Sequence, residues 1–216
     1  MASYHLAHLT EDRRRGAVWK VIAEHLAAYV PPDAHVLELG AGYCDWINNV
    51  RAARRVALDV WSDLPKHAAP GVEPIVLDIA NGLQSLGEAA FDVVLASNLL
   101  EHFCPDDAAS VVEGVARLLR PGGRVVLIQP NFRYAWRNYF DDYTHRAIFT
   151  DVSLPALLRA TGFSILEVRP RFVPYSLRRA RVPMASWLVK AYLLSPVKPA
   201  AGQMLVIAQK EPTHVR

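Results

Sequence analysis

Short apolar runs alternate along this chain with longer stretches in which apolar residues recur at helical spacing, the pattern of a largely parallel sheet wrapped by helices. Glu11 to Tyr29 carries Trp19, Val21, Ile22 and Leu26 among Arg13, Arg14 and His25, and Pro31-Pro32 stops it, so it reads as an amphipathic helix. Val36 to Leu39 is a buried strand that ends at Gly40-Ala41-Gly42, and Asp45 to Ala53 is expected as its crossover helix. Arg55–Asp59, Ile75–Asp78 and Phe91–Ala96 follow as strands, the first two ending in a carboxylate. Pro105 to Leu119 is a helix with acids at its start and arginines at its end, and Pro121-Gly122-Gly123 turns it into a fifth strand, Arg124–Gln129. Ser153 to Thr161 is the last helix, closed by Gly162, before the strands Phe163–Val168 and Gln203–Ala208. No repeat and no linker divides residues 1–216, which read as one domain.

The glycine turn at residues 40–42 is where such a sheet binds ligands, because a chain without Cβ lets a ligand lie against the main chain. A dinucleotide fingerprint counted from Gly40 requires glycine at position 45, and Asp45 stands there, a carboxylate that would face a pyrophosphate. Asp59 lies about twenty residues beyond the turn, the spacing at which an acid accepts hydrogen bonds from a ribose diol. The spacing of Asp59 supports adenosine recognition, and Asp45 makes NAD or FAD unattractive.

With Glu38 before the turn, and with five consecutive elements matching in order and polar endings, residues 36–131 resemble the class I S-adenosylmethionine-dependent methyltransferases. The resemblance implies an α/β fold: a doubly wound, seven-stranded, mostly parallel sheet with an antiparallel last strand and helices on both faces. It also implies S-adenosylmethionine as cofactor, contacted by Glu38, Gly40, Ala41, Gly42 and Tyr43, by Asp59 and Val60, by Asp78 and Ile79 near the adenine, and by Asn98, Leu99 and His102 near the methionine end. Many relatives carry glycine where this chain has Cys44, so the thiol is expected to pack inward or displace the helix start.

At 216 residues, 52% hydrophobic and 21% charged, the chain can bury a sizeable core, and two cysteines give neither a disulfide framework nor a metal-ligand pair. With no apolar leader and no spanning run, a cytoplasmic protein is expected. The formal charge of +3 conceals an asymmetry: Arg169 to Lys198 holds seven Lys or Arg and no Asp or Glu, leaving the remainder net acidic. This basic stretch lies in a long insert, residues 169–202, read as a lid or an assembly surface and compatible with peripheral membrane contact.

Residues 130–150, beyond the fifth strand, turn aromatic and polar, and are the expected acceptor insert. Asp142 and His145 stand in an Asp-x-x-His pattern and are the candidate catalytic pair, His145 as general base and Asp142 to orient an imidazole or act itself. No third ligand appears at useful spacing from Asp141–His145, so no metal is expected. The reading is O-methylation of a small-molecule, glycan or lipid-linked hydroxyl. An RNA methyltransferase and a non-catalytic cofactor-binding subunit are the alternatives; nucleic acid is disfavoured because no Asn-Pro-Pro-Tyr-type motif and no Pro-Cys nucleophile occurs. The sequence leaves the oligomeric state open.

Overall fold

Alternation inside each strand sends successive side chains to opposite faces, so a strand buried on both faces is apolar at nearly every position. The computed structural model describes residues 13–174 and 185–212. Five strands run parallel, β1 (His35–Leu39), β2 (Arg54–Asp59), β3 (Val72–Val76), β4 (Phe91–Ser97) and β5 (Leu119–Pro130), of which β1 and β4 come nearest the doubly buried pattern while β3, at the sheet edge, is mostly exposed, and the chain ends with β6 (Phe163–Pro174) and β7 (Ala201–Lys210). The order is β3-β2-β1-β4-β5-β7-β6, and β7 is antiparallel to both of its neighbours. β1 and β4 are adjacent, so the direction of strand addition reverses there and a crevice opens at their carboxyl ends.

Each face has its own core. Val36, Ala57, Leu95, Val126 and Ile128 pack against α1 (Arg13–Leu26), where Ile22 and Leu26 are fully buried at about 1.5–3 kcal/mol each. Leu37, Leu39, Val94, Ala96 and Leu127 pack on the other face against α2 (Pro105–Leu118) and α3 (Ser153–Ala160). The acidic first turn and Arg117 in the last turn of α2 suit its dipole. No described helix is long and apolar enough to cross a membrane.

Three local expectations are corrected. The crossover helix over Asp45–Ala53 does not form; the chain makes turns and one 3-10 turn, Ile47–Asn49. Cys44 adopts a left-handed φ of 58°, and the asparagine side chains compete with helix formation: Asn49 Nδ2 donates to Asp45 O, and Asn48 bonds His67 O and Ala69 N. The third strand is Val72–Val76, so Asp78 lies outside it and instead caps a single helical turn, Ile79–Gly82. β6 continues to Pro174, well past Val168, so the long insert begins later than expected.

Part of that insert is helical, α4 (Ser186–Leu194), and it joins the α1 face through Leu193 and Val189, with Phe172 of β6 alongside. Arg178, Arg179 and Arg181 lie outside the described residues, as do residues 11–12 of the expected N-terminal helix, and no side-chain placement is described for Arg13 and Arg14. Asn131 fastens the acceptor insert to the sheet edge. It is fully buried, its N–H donates to Gly202 O, its Nδ2 donates to Asp151 Oδ1 and Pro170 O, and its Oδ1 accepts from Arg133 N.

Candidate active site

At the end of β1 the backbone turns back on itself because Gly40 and Gly42 both take positive φ, 68° and 49°. The Gly40 and Ala41 amides donate to Leu58 O at 2.8 and 3.1 Å, pinning the turn to β2. A Cβ on Gly40 would meet Leu99 Cδ1 at 3.1 Å, so the loop after β4 lies directly over the turn. Glu38 is buried and accepts from Ile47 N at 3.0 Å; burial holds its carboxyl well above the usual range, with the Ile47 bond opposing.

Asp59 closes this corner from β2. Its Oδ2 accepts from Gly42 N and its Oδ1 from Trp61 N, both at 2.9 Å, and the side chain is 6% exposed. Two main-chain amides therefore hold the carboxylate in one orientation, and each oxygen has a second lone pair for a further donor. Beyond it, Tyr43 meets Trp61 and His67 edge-on, and Trp61 stacks on His67 with centroids 4.9 Å apart. Val60 is exposed beside them. Asp78 is exposed and accepts from Ala80 N, while Ile79 next to it is buried. Asp45 points back to α1, where Arg15 pairs with it at 2.9 Å. Cys44 is fully buried, and burial pushes its thiol up to about 12.

This corner offers carboxylates and carbonyls rather than cations, so it suits a ligand rich in hydroxyl and amino donors and disfavours phosphate. Glu38, Gly40, Ala41, Gly42, Tyr43, Asp59 and Val60 are contiguous around it, with Leu99 above. That composition fits the adenosine and amino-acid groups of S-adenosylmethionine.

A second polar cluster lies after β4. Thr144 Oγ1 donates to Asp142 Oδ1 at 2.6 Å, so it accepts from His102 Nδ1 at 2.9 Å, and this assigns the imidazole lone pair of His102 to Nε2. His145 stands edge-on to His102 with centroids 5.0 Å apart, and its Nε2 lies 4.0 Å from Asp142 Oδ2. Its side chain is 5% exposed against 19% for Asp142. Glu101, immediately before His102, is buried, and its main-chain carbonyl accepts from Arg146 N and Ala147 N, tying this loop to the end of the insert. Burial, with Asp142 nearby, pushes the Glu101 carboxyl up to about 8, against a bond from its own main chain. Asn98 precedes the cluster with φ 49° and its N–H on Ile128 O.

His145 and Asp142 are thus brought together as expected, and His102 is drawn toward them by Thr144. Glu101, Thr144, Arg15, Trp61 and His67 were not anticipated. Only Glu101 left a sequence signal, the Glu-His pair it forms with His102 after the fourth strand. The insert also carries an exposed aromatic wall of Tyr134, Trp136, Phe140 and Tyr143, and the Arg171 guanidinium from β6 lies 5.2 Å over the Tyr134 ring.

Residues 10–168 match the model of a family described as a methyltransferase domain. No curated protein sequence matches. Among solved structures, a SAM-dependent methyltransferase from Archaeoglobus fulgidus superposes with a TM-score of 0.69 at 17% identity, over 90% of this chain and 94% of that one. The Burkholderia thailandensis 1,6-didemethyltoxoflavin-N1-methyltransferase, solved with its substrate and S-adenosylhomocysteine, gives 0.59 at 23% identity, covering 97% and 84%. A Haloferax volcanii methyltransferase in complex with its Trm112 activator gives 0.68 at 14%, covering 93% and 92%.

Proposed function

The chain belongs to the methyltransferase domain family, and from that premise we propose that it methylates a hydroxyl group of a small-molecule, glycan or lipid-linked acceptor. S-adenosylmethionine is its methyl donor, and when bound it supplies an electrophilic methyl group that needs no activation by the protein. The work left to the chain is to hold two reactants in line and to take a proton from the acceptor.

Asp59 holds the glycine turn through Gly42 N, Glu38 holds Ile47 N beside it, both offer acceptors to the cofactor's amino and hydroxyl groups, and Asp78 and Ile79 border the base. Asn98, Leu99 and His102 border its methionine end. The observation that carries the acceptor reading is the Asp142–Thr144–His102 chain, with His145 beside it: His102 stands in the loop that also lays Leu99 over Gly40, and its partners come from the insert. The chain sets the tautomer of His102 and gathers two imidazoles in one cluster. His145 and His102 receive the hydroxyl proton, and Asp142 sets their orientation. The aromatic wall holds the apolar or sugar body of the acceptor, and Arg171 favours an anionic group on it.

A methyl-transfer assay with isotope-labelled cofactor, run across nucleotide sugars, polyprenyl-linked glycans, phenolics and RNA, tests this. The expected result is product on a hydroxyl compound, lost in Asp142→Asn and His145→Ala while cofactor affinity persists. Methylation of RNA alone would replace the reading. Tight cofactor binding without transfer to any class would favour a non-catalytic subunit.

A further inference from the structure

We propose that Glu101, His102 and His145 form the ligand set of a divalent transition-metal ion. One ligand atom from each, a carboxylate oxygen and two imidazole nitrogens, lies within 4.8 Å of the other two. Two residues come from the loop after β4 and the third from the acceptor insert, so the set exists only once the chain has folded.

The second observation is the state of Glu101. It is 1% exposed, and neither carboxylate oxygen has a hydrogen-bond partner from another residue among the described residues. A buried carboxyl group left without partners costs about 1–3 kcal/mol or more, and a bound cation would remove that penalty. The same face carries Gln129, also fully buried with neither amide atom partnered among the described residues.

The surroundings of His102 are those of a metal ligand. Its Nδ1–H donates to Thr144 Oγ1, which donates in turn to Asp142, so Nε2 carries the lone pair, and an outer carboxylate supports the ring. Asp142 Oδ2 stands 4.0 Å from His145 Nε2, within ion-pair but beyond hydrogen-bond distance. Two imidazoles and one carboxylate suit zinc, cobalt, iron or manganese; calcium and magnesium prefer oxygen ligands throughout. Ligand atoms about 2.0–2.1 Å from such an ion stand roughly 3.3 Å apart in a tetrahedral array, so the side chains need to close by on the order of 1 Å. Three protein ligands leave a coordination position open, where an acceptor hydroxyl would be held and its pKa lowered. The two imidazoles then serve as ligands in place of proton acceptors, and the hydroxyl proton passes to solvent water. That use in turnover rests on the methyl-transfer reading, whereas the binding of the ion does not.

The full chain, stripped with a chelator and dialysed, is titrated with cobalt(II) and zinc(II), followed by calorimetry and by the visible absorption of bound cobalt. We expect one ion per chain, displacement of cobalt by zinc, and affinity weakened by at least roughly tenfold in Glu101→Gln, His102→Gln and His145→Gln. Circular dichroism and a cooperative thermal transition confirm that each variant is folded, and the near-isosteric Glu101→Gln decides should a histidine variant fail that control. No binding at millimolar cobalt, or binding unchanged in folded Glu101→Gln, overturns the inference. Metal-free protein that methylates a hydroxyl acceptor at full rate and binds no cobalt overturns the inference and leaves the methyl-transfer reading standing. Cobalt bound through these residues, with no acceptor methylated in any class, upholds the metal site and defeats that reading.

Discussion

The two corners of the crevice are made of different material. Around Gly40–Gly42 the polar groups are held by main-chain amides: Asp59 by Gly42 and Trp61, Glu38 by Ile47, and the turn itself by Leu58. Around His102 the partners are side chains brought from a segment some forty residues away, Asp142, Thr144 and His145. A backbone-built corner is fixed by local sequence and keeps one ligand. A side-chain-built corner is fixed by tertiary packing, and its chemistry changes with each substitution.

The largest test of this division is at the second corner. His145→Ala is expected to lower kcat by roughly 10²- to 10⁴-fold, the usual contribution of a positioned acid–base group, with S-adenosylhomocysteine affinity unchanged by calorimetry. A parallel loss of cofactor affinity would show that the two corners are energetically one. At the first corner, Asp59→Ala is expected to weaken S-adenosylhomocysteine by about 1–3 kcal/mol, since a charge-assisted acceptor is removed. Unchanged affinity would assign the ribose hydroxyls to other groups.

Gly40→Ala sharpens the backbone side of the comparison. With φ at 68° and Leu99 Cδ1 3.1 Å from the new Cβ, it is expected to cost about 1–2 kcal/mol of stability, read from the urea midpoint. The smallest effect concerns the thiols. Cys44 is fully buried and its thiol is pushed up to about 12, so at neutral pH Cys104, which is partly exposed, is expected to react first with a thiol reagent. Rapid labelling of Cys44 that cofactor blocks would show that the glycine turn opens to solvent.

The same division explains what the sequence disclosed. The succession of strands and helices along the chain, the glycine turn and the helix that starts at Pro105 were legible because each rests on apolar periodicity or a residue type at fixed spacing, while the seven-stranded sheet with its antiparallel last strand came from the family resemblance. The missing crossover helix was not, since its loss depends on Cys44 in a left-handed conformation and on Asn48 bonding residues near His67. Asp78 was expected as the acid that ends the third strand, but its capping of Ile79–Gly82 follows from where β3 ends. The pairing of Asp142 with His145 was visible as a local pattern. Their meeting with His102 and Glu101 was not, because the distance along the chain carries no record of the fold that closes it.

Asn131 adds a consequence for how this protein can diversify. One side chain and its amide fasten four separate segments, through Arg133, Asp151, Pro170 and Gly202. A graft that exchanges the aromatic insert for that of a relative therefore needs to carry Asn131 together with Asp151 and leave the two carbonyls of the β6–β7 hairpin in register. Cut inside those limits, residues 132–150 form a cassette that selection can rewrite for a new acceptor. Cut across them, the graft leaves a buried amide unsatisfied and loosens the sheet edge that every acceptor must approach.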